Sequence, residues 1–223
     1  MKTIKIGVLC AAFFFSHRMA FAQSATAKAY QIPFGSQGNV IELAVANSSA
    51  VNAENVKVEV TNPPAWLKFA RKDTTIALLK SKQEQSAGFI FSVDKTAPVN
   101  KDQTLSFTIT AKTGESWTKE IKVKVGPPST FALFQNYPNP FNPATIIEYQ
   151  LPGTSTRFSV TLKIYDVVGR EIAVLVNEQQ EPGFYQKSFN ASRFASGIYF
   201  YQLIANDEQD HTHVFRKKMV LVK

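Results

Sequence analysis

The chain is expected to be all-β: two β-sandwich domains in tandem behind a cleaved leader. Three observations predict this. Apolar and polar residues alternate with a period of two over most of the length. No segment after the leader carries a 3.6-residue period with capping residues. A short run of prolines and small residues, Gly126-Pro127-Pro128-Ser129-Thr130, interrupts the pattern near the middle.

Met1 to Ala22 reads as a secretory leader. Lys2 and Lys5 precede the apolar Ile6–Phe15, and Ala20 and Ala22 flank Phe21 as a small-residue cleavage site. The apolar run is about half of the roughly 20 residues that span a bilayer, and no later stretch is longer. No transmembrane segment is expected. Cys10, the one cysteine of the 223 residues, lies inside this leader, so the mature chain has no thiol for a disulfide or a thiolate metal site.

The first domain is expected over 26–126. Ile41/Leu43/Val45, Val56–Thr61, Thr75–Leu79, Phe89/Phe91/Val93, Leu105–Thr110 and Glu120–Val125 each present one dry and one wet face. They account for about six or seven strands over about 100 residues, the size of one immunoglobulin-like sandwich. Residues 127–130 then form a semi-rigid linker, since proline neither continues a central strand nor donates to one.

The second domain, 131–223, opens on Phe134-Gln-Asn-Tyr-Pro-Asn-Pro-Phe-Asn-Pro143. Each proline restricts the residue before it to extended or turn conformations, so Tyr137, Asn139 and Asn142 are preset. This stiff strap is expected to cross one end of the sandwich, with Tyr137 and Phe141 filling apolar gaps. Six strands follow: Ile146–Leu151, Phe158–Ile164, Ile172–Val176, Tyr185–Phe189, Ile198–Ile204 and Val214–Val222. Asp166-Val-Val-Gly169 and Pro182-Gly183 supply turns between them.

Charge narrows the function classes. The whole chain carries +8 at pH 7; with Lys2, Lys5 and Arg18 in the leader, 22 cations face 17 acids in the remainder. That excess is spread along strands apart from Arg216-Lys217-Lys218, and no aromatics are interleaved with it, so a nucleic-acid partner is not expected. Nor does a catalytic constellation assemble. Glu42, Glu59 and Glu120 fall on outward strand positions, and neither a nucleophile elbow nor a phosphate loop occurs. An enzyme is therefore not expected, and no cofactor is implied. His211 and His213 are two apart, which puts half of a metal site on one strand face, but no third ligand is evident and no metal is expected.

Trp66 and Trp117 are the candidate sugar-stacking rings of the first domain; Trp66 follows Pro63-Pro64, where core packing is the commoner fate. Asn47-Ser-Ser49 and Asn190-Ala-Ser192 match the glycosylation sequon, a match short sequences meet by chance.

The order of the strap, Val160–Asp166 with Gly169-Arg170, Gly183-Phe-Tyr185, Ser196–Tyr201 and Lys217–Lys223 closely resembles the type A C-terminal sorting domain of the type IX (Por) secretion system. The resemblance implies export through the periplasm to the cell surface or beyond. The implied partners are an outer-membrane translocon and a sortase-like peptidase, with attachment to a surface polysaccharide as one possible end. Its recognition elements correspond here to Gly197, Ile198 and Tyr199 and to Lys217, Lys218, Met219, Val220, Leu221, Val222 and Lys223. A final strand with lysines at both ends also suits a sheet edge to which a receptor adds a strand. The same pattern is similar to the immunoglobulin-like domain of flagellar hook-capping proteins, which would make the second domain a retained assembly module. The first domain is similar to the immunoglobulin-like module associated with alpha-galactosidases and their carbohydrate-binding neighbours. That resemblance implies a structural or adhesive cargo, or alternatively a carbohydrate-binding accessory.

Overall fold

The computed structural model describes residues 29–223, and of residues 1–28 only the backbone of Thr3–Ile4 (β1) and Leu9–Ala12 (β2). The expected cleavage-site residues Ala20 and Ala22 lie outside the described residues. The described chain is all-β, and it divides into two compact units, Met1–Gly126 and Pro127–Lys223, each with its own hydrophobic core.

The first unit contains β3 (Tyr30–Ile32), β4 (Asn39–Asn47), β5 (Ala53–Thr61), β6 (Leu67–Phe69), β7 (Asp73–Leu79), β8 (Glu84–Val93), β9 (Asp102–Thr110) and β10 (Ser116–Val125). One sheet runs β4-β8-β6, with β1 and β2 parallel to β4 along its other side; the second runs β3-β10-β9-β5-β7. Strict alternation makes these layers. In β4 every odd residue from Asn39 to Asn47 is buried and every even one is partly exposed, so one face seals against the other sheet. Phe89 on β8 meets Phe107 on β9 across the layers, their ring centres 5.4 Å apart.

Asn47 closes β4 as a buried polar residue with its amide fully used. Its Nδ2 donates to the carbonyls of Val51 (2.8 Å) and Leu79 (3.0 Å), and its Oδ1 accepts from the Ser49 amide (3.0 Å) and hydroxyl (2.7 Å). The sequon at Asn47 is thus a structural turn rather than an accessible acceptor. Asp94 does similar work at the end of β8. Its carboxylate accepts from the Thr96 amide (3.0 Å) and from Lys68 Nζ (2.9 Å), and these contacts hold its pKa down to about 2. A carboxyl held below its ordinary value adds stability above that value and gives it up as pH falls. The first unit is therefore expected to lose this contribution between pH 3.8 and about 2, and D94N should remove that part of the acid dependence in denaturant melts.

The second unit contains β11 (Ala132–Leu133), β12 (Ala144–Leu151), β13 (Phe158–Tyr165), β14 (Glu171–Gln180), β15 (Gly183–Asn190), β16 (Gly197–Asn206) and β17 (Thr212–Leu221). A three-stranded sheet β11-β12-β15 packs on a four-stranded sheet β14-β13-β16-β17. Ile147, Tyr149 and Leu151 from the first layer and Val160, Leu162, Ile164, Tyr201 and Leu203 from the second are fully buried between them. Tyr149 keeps its hydroxyl satisfied by donating to Gln180 Oε1 at 2.8 Å, and burial pushes its pKa up. The β13–β14 hairpin turns on Asp166, whose Oδ1 accepts from the Val168 and Arg170 amides at 3.0 and 2.9 Å. Gly169 takes the left-handed position this turn requires, at φ +82°.

Candidate recognition surface

The two segments singled out in the sequence lie on neighbouring strands in register. Gly197 pairs with Leu221, Ile198 with Val220, Tyr199 with Met219 and Tyr201 with Lys217. Alternation then sorts their side chains. Tyr199, Met219 and Leu221 point into the core, while Ile198 and Val222 stand 43% and 49% exposed. Lys218 and Lys223 are exposed and Lys217 is half-buried, and none of the three has a carboxylate partner among the described residues. Beside Ile198 lies a groove of about 350 Å³ lined by Val167, Val168, Phe194 and Tyr199. The Asp166 turn holds Val167 and Val168 66% and 72% exposed on its rim. Sequence reasoning did not single out this pair of valines, although their position inside a turn marked by Asp166 and Gly169 was a signal that they face water.

The proline strap explains what else holds this end together. It runs between the two sheets and bonds to both. On one side the Tyr137 amide donates to the Ile146 carbonyl (3.0 Å) and the Ile146 amide donates back (2.9 Å), which fixes the strap to β12. On the other side the Phe141 amide donates to the Val220 carbonyl (2.9 Å), the Val222 amide donates to the Phe141 carbonyl (3.0 Å), and the Val220 amide donates to Asn139 Oδ1 (2.9 Å). Gln135 Nε2 adds a fourth link, to the Lys218 carbonyl at 2.8 Å. Prolines bring no N–H to such a segment, so amide side chains and the few non-proline N–H groups must supply the bonds.

This geometry corrects two expectations. Phe141 does fill the core, 2% exposed and 6.2 Å from the Phe189 ring, but Tyr137 is 80% exposed. The reason is register: Tyr137 bridges to Ile146, an outward residue of β12, and so projects to the same outer face. The second correction concerns the edge of β17. Its backbone from Lys218 to Val222 is not an open edge, because the strap already occupies it.

Behind the strap lies a buried polar node. Asn136, 1% exposed, donates from Nδ2 to the Pro138 carbonyl and to Thr145 Oγ1, both at 3.0 Å. The Tyr201 hydroxyl accepts from the Asn136 amide (2.9 Å) and donates to the Phe134 carbonyl (2.7 Å). Burial raises its pKa to about 12. Y201F leaves the buried Asn136 N–H without its hydroxyl acceptor and removes the bond to the Phe134 carbonyl, and is expected to cost about 1–3 kcal/mol in denaturant unfolding. A tyrosine held neutral above its ordinary value adds stability below pH 10 and loses it as pH rises from 10 toward 12. Alkaline unfolding of the second unit should follow that window, and Y201F should flatten it.

The remaining sequence candidates are the two tryptophans and the two histidines. Trp66 and Trp117 are both partly buried against the first core. His213 lies on β17 with its ring stacked 4.1 Å from Phe131, whereas His211 lies in the preceding turn, its Nδ1 3.0 Å from Asp207 Oδ2. His211 precedes β17, yet both rings approach one carboxylate oxygen, since His213 Nε2 lies 3.9 Å from the same Asp207 Oδ2. No group of three His, Cys, Asp or Glu residues suited to a metal occurs among the described residues. Among them, too, no helix is long and apolar enough to cross a membrane.

Comparison with known proteins bears on the second unit. Residues 135–220 match the family described as the secretion system C-terminal sorting domain. No curated protein matches the sequence. Among solved structures, dimeric latent PorU from Porphyromonas gingivalis aligns at 14% identity and a TM-score of 0.34, covering 89% of this chain but 19% of PorU. The CupB2 chaperone of Pseudomonas aeruginosa aligns at 7% identity and a TM-score of 0.29, covering 86% of this chain and 98% of the chaperone. Calcium binding domain CBD12 of CALX1.1 aligns at 11% and 0.36, covering 78% and 76%. Similarities this low carry nothing about function.

Proposed function

With residues 135–220 matching the secretion system C-terminal sorting domain, we propose that this chain is exported by the type IX route and that its second unit is the label the outer-membrane machinery reads. The chain crosses the periplasm, the translocon engages the surface formed by β16, β17 and the strap, and a sortase-like peptidase removes the label near residues 125–131. The product is a non-enzymatic surface or extracellular protein whose first unit serves as a structural or adhesive module. The family match carries this reading; the contiguity of Gly197–Tyr199 with Met219–Leu221 supports it, since a label has to present its elements on one rigid surface.

Location and intact mass of the chain in its native host test the reading. A surface or extracellular product cut near residues 125–131 is expected. A full-length chain retained in the periplasm of a host that exports other labelled proteins would refute it.

A further inference from the structure

The strap covers only part of the β17 edge. In an antiparallel ladder, alternate residues turn their backbone groups toward opposite neighbours. Val220 gives both its N–H and its carbonyl to the strap, and Lys218 gives its carbonyl, so the even-numbered residues of β17 face away from β16. The β16–β17 register runs without a shift from Leu221 to Thr212. The outward N–H and carbonyl groups of Val214 and Arg216 therefore have no partner among the described residues.

This stretch differs from the opposite edge of the same sheet. There β14 meets β13 through two register shifts, after Leu162 and after Ile164, a device that blunts an edge against further pairing. The regular half of β17 has no such irregularity and no proline. Its guard is positive charge: Arg216, Lys217 and Lys218 lie in succession with no carboxylate within ion-pair distance among the described residues. Arg216 engages only the neutral Gln202 Oε1, at 2.6 Å from one nitrogen and 3.2 Å from another. Val214, 53% exposed, continues the same face.

We propose that the outer edge of β17 from Thr212 to Lys217 accepts an extended acidic strand of the protein that recognises this unit. The inference rests on the sorting reading above. Side chains of a paired strand alternate between faces, so the incoming segment carries two carboxylates two residues apart, opposite Arg216 and Lys218, and an apolar residue two further on, opposite Val214. Main-chain bonds supply affinity, and the carboxylates set register and reject lysine-guarded strands, including a second copy of this edge.

V214P removes an outward N–H and leaves the β16 ladder whole. It is expected to melt like wild type and to lower surface export about tenfold or more, the loss that about 1.4 kcal/mol produces. R216E/K218E should do the same, and R216K/K218R should export like wild type. Wild-type export of R216E/K218E overturns the proposal even if V214P proves unstable, and so does an equal loss in R216K/K218R. If wild type itself is not exported in a competent host, the sorting reading has failed; if wild type is exported and the variants match it, only the edge inference has.

Discussion

A chain ending at Phe215 is expected to lose its second unit as a folded body, not merely as a signal. The deletion removes Met219 and Leu221, 0% and 1% exposed, and losing a buried side chain of this size costs about 2–5 kcal/mol. It also strips Gly197 to Gln202 of their partner strand and frees the strap bonds made by Gln135, Asn139 and Phe141. Whole domains hold only about 5–15 kcal/mol. Calorimetry of the truncated chain should therefore show the transition of the first core and none for the second. Failure of export after such a deletion would report misfolding, so the export question belongs to surface substitutions. A truncated chain that keeps both transitions would show that β17 is dispensable to the fold.

F141A is expected to be the most damaging single change in the strap. Phe141 is the residue whose ring enters the core while its backbone bonds to both Val220 and Val222. Truncating a buried phenylalanine costs about 3–5 kcal/mol, with the larger value where the surroundings cannot collapse. The prolines on both sides hold the backbone in place and limit collapse here. The neighbouring N142A, at an exposed position, should stay within about 0.5 kcal/mol of wild type. The two midpoints in urea measure the contrast directly, and equal midpoints would mean that the strap is not held by this ring.

The all-β class was legible because alternation is a local signal. Val56-Lys-Val-Glu-Val60 and Glu120-Ile-Lys-Val-Lys-Val125 declare their faces without reference to the rest of the chain, and both appear in β5 and β10. Between Tyr30 and Val125 the described residues nonetheless form eight strands, β3 to β10, where about six or seven were expected. One reason is β6, Leu67–Phe69, too short after Pro63-Pro64 to show a period. In the second unit β14 runs to Gln180, beyond the expected Val176, through the polar Asn177-Glu-Gln-Gln180. An edge strand needs only one apolar side, and its register shifts against β13 scramble even that alternation.

The recognition surface was legible in part. The sorting resemblance brought out the segments at Gly197 and Lys217, but their adjacency depends on a strand pairing that no local pattern encodes. Harder still was the strap. Two of its four bonds to β17 run through the Gln135 and Asn139 side chains across more than 80 residues, and such bonds leave no period in the sequence. Asn before proline read as a turn signal, whereas here the Asn139 amide oxygen substitutes for the backbone groups that the prolines cannot offer.

The most direct test of the central claim is transfer of the label. A reporter carrying a secretory leader and residues 127–223 at its C-terminus, expressed in a host with an active type IX system, is assayed by surface protease accessibility and intact mass. The account expects the reporter at the cell surface or in the medium, cut close to the junction, while the same reporter without residues 127–223 stays in the periplasm. A folded fusion that stays in the periplasm beside it would contradict the account.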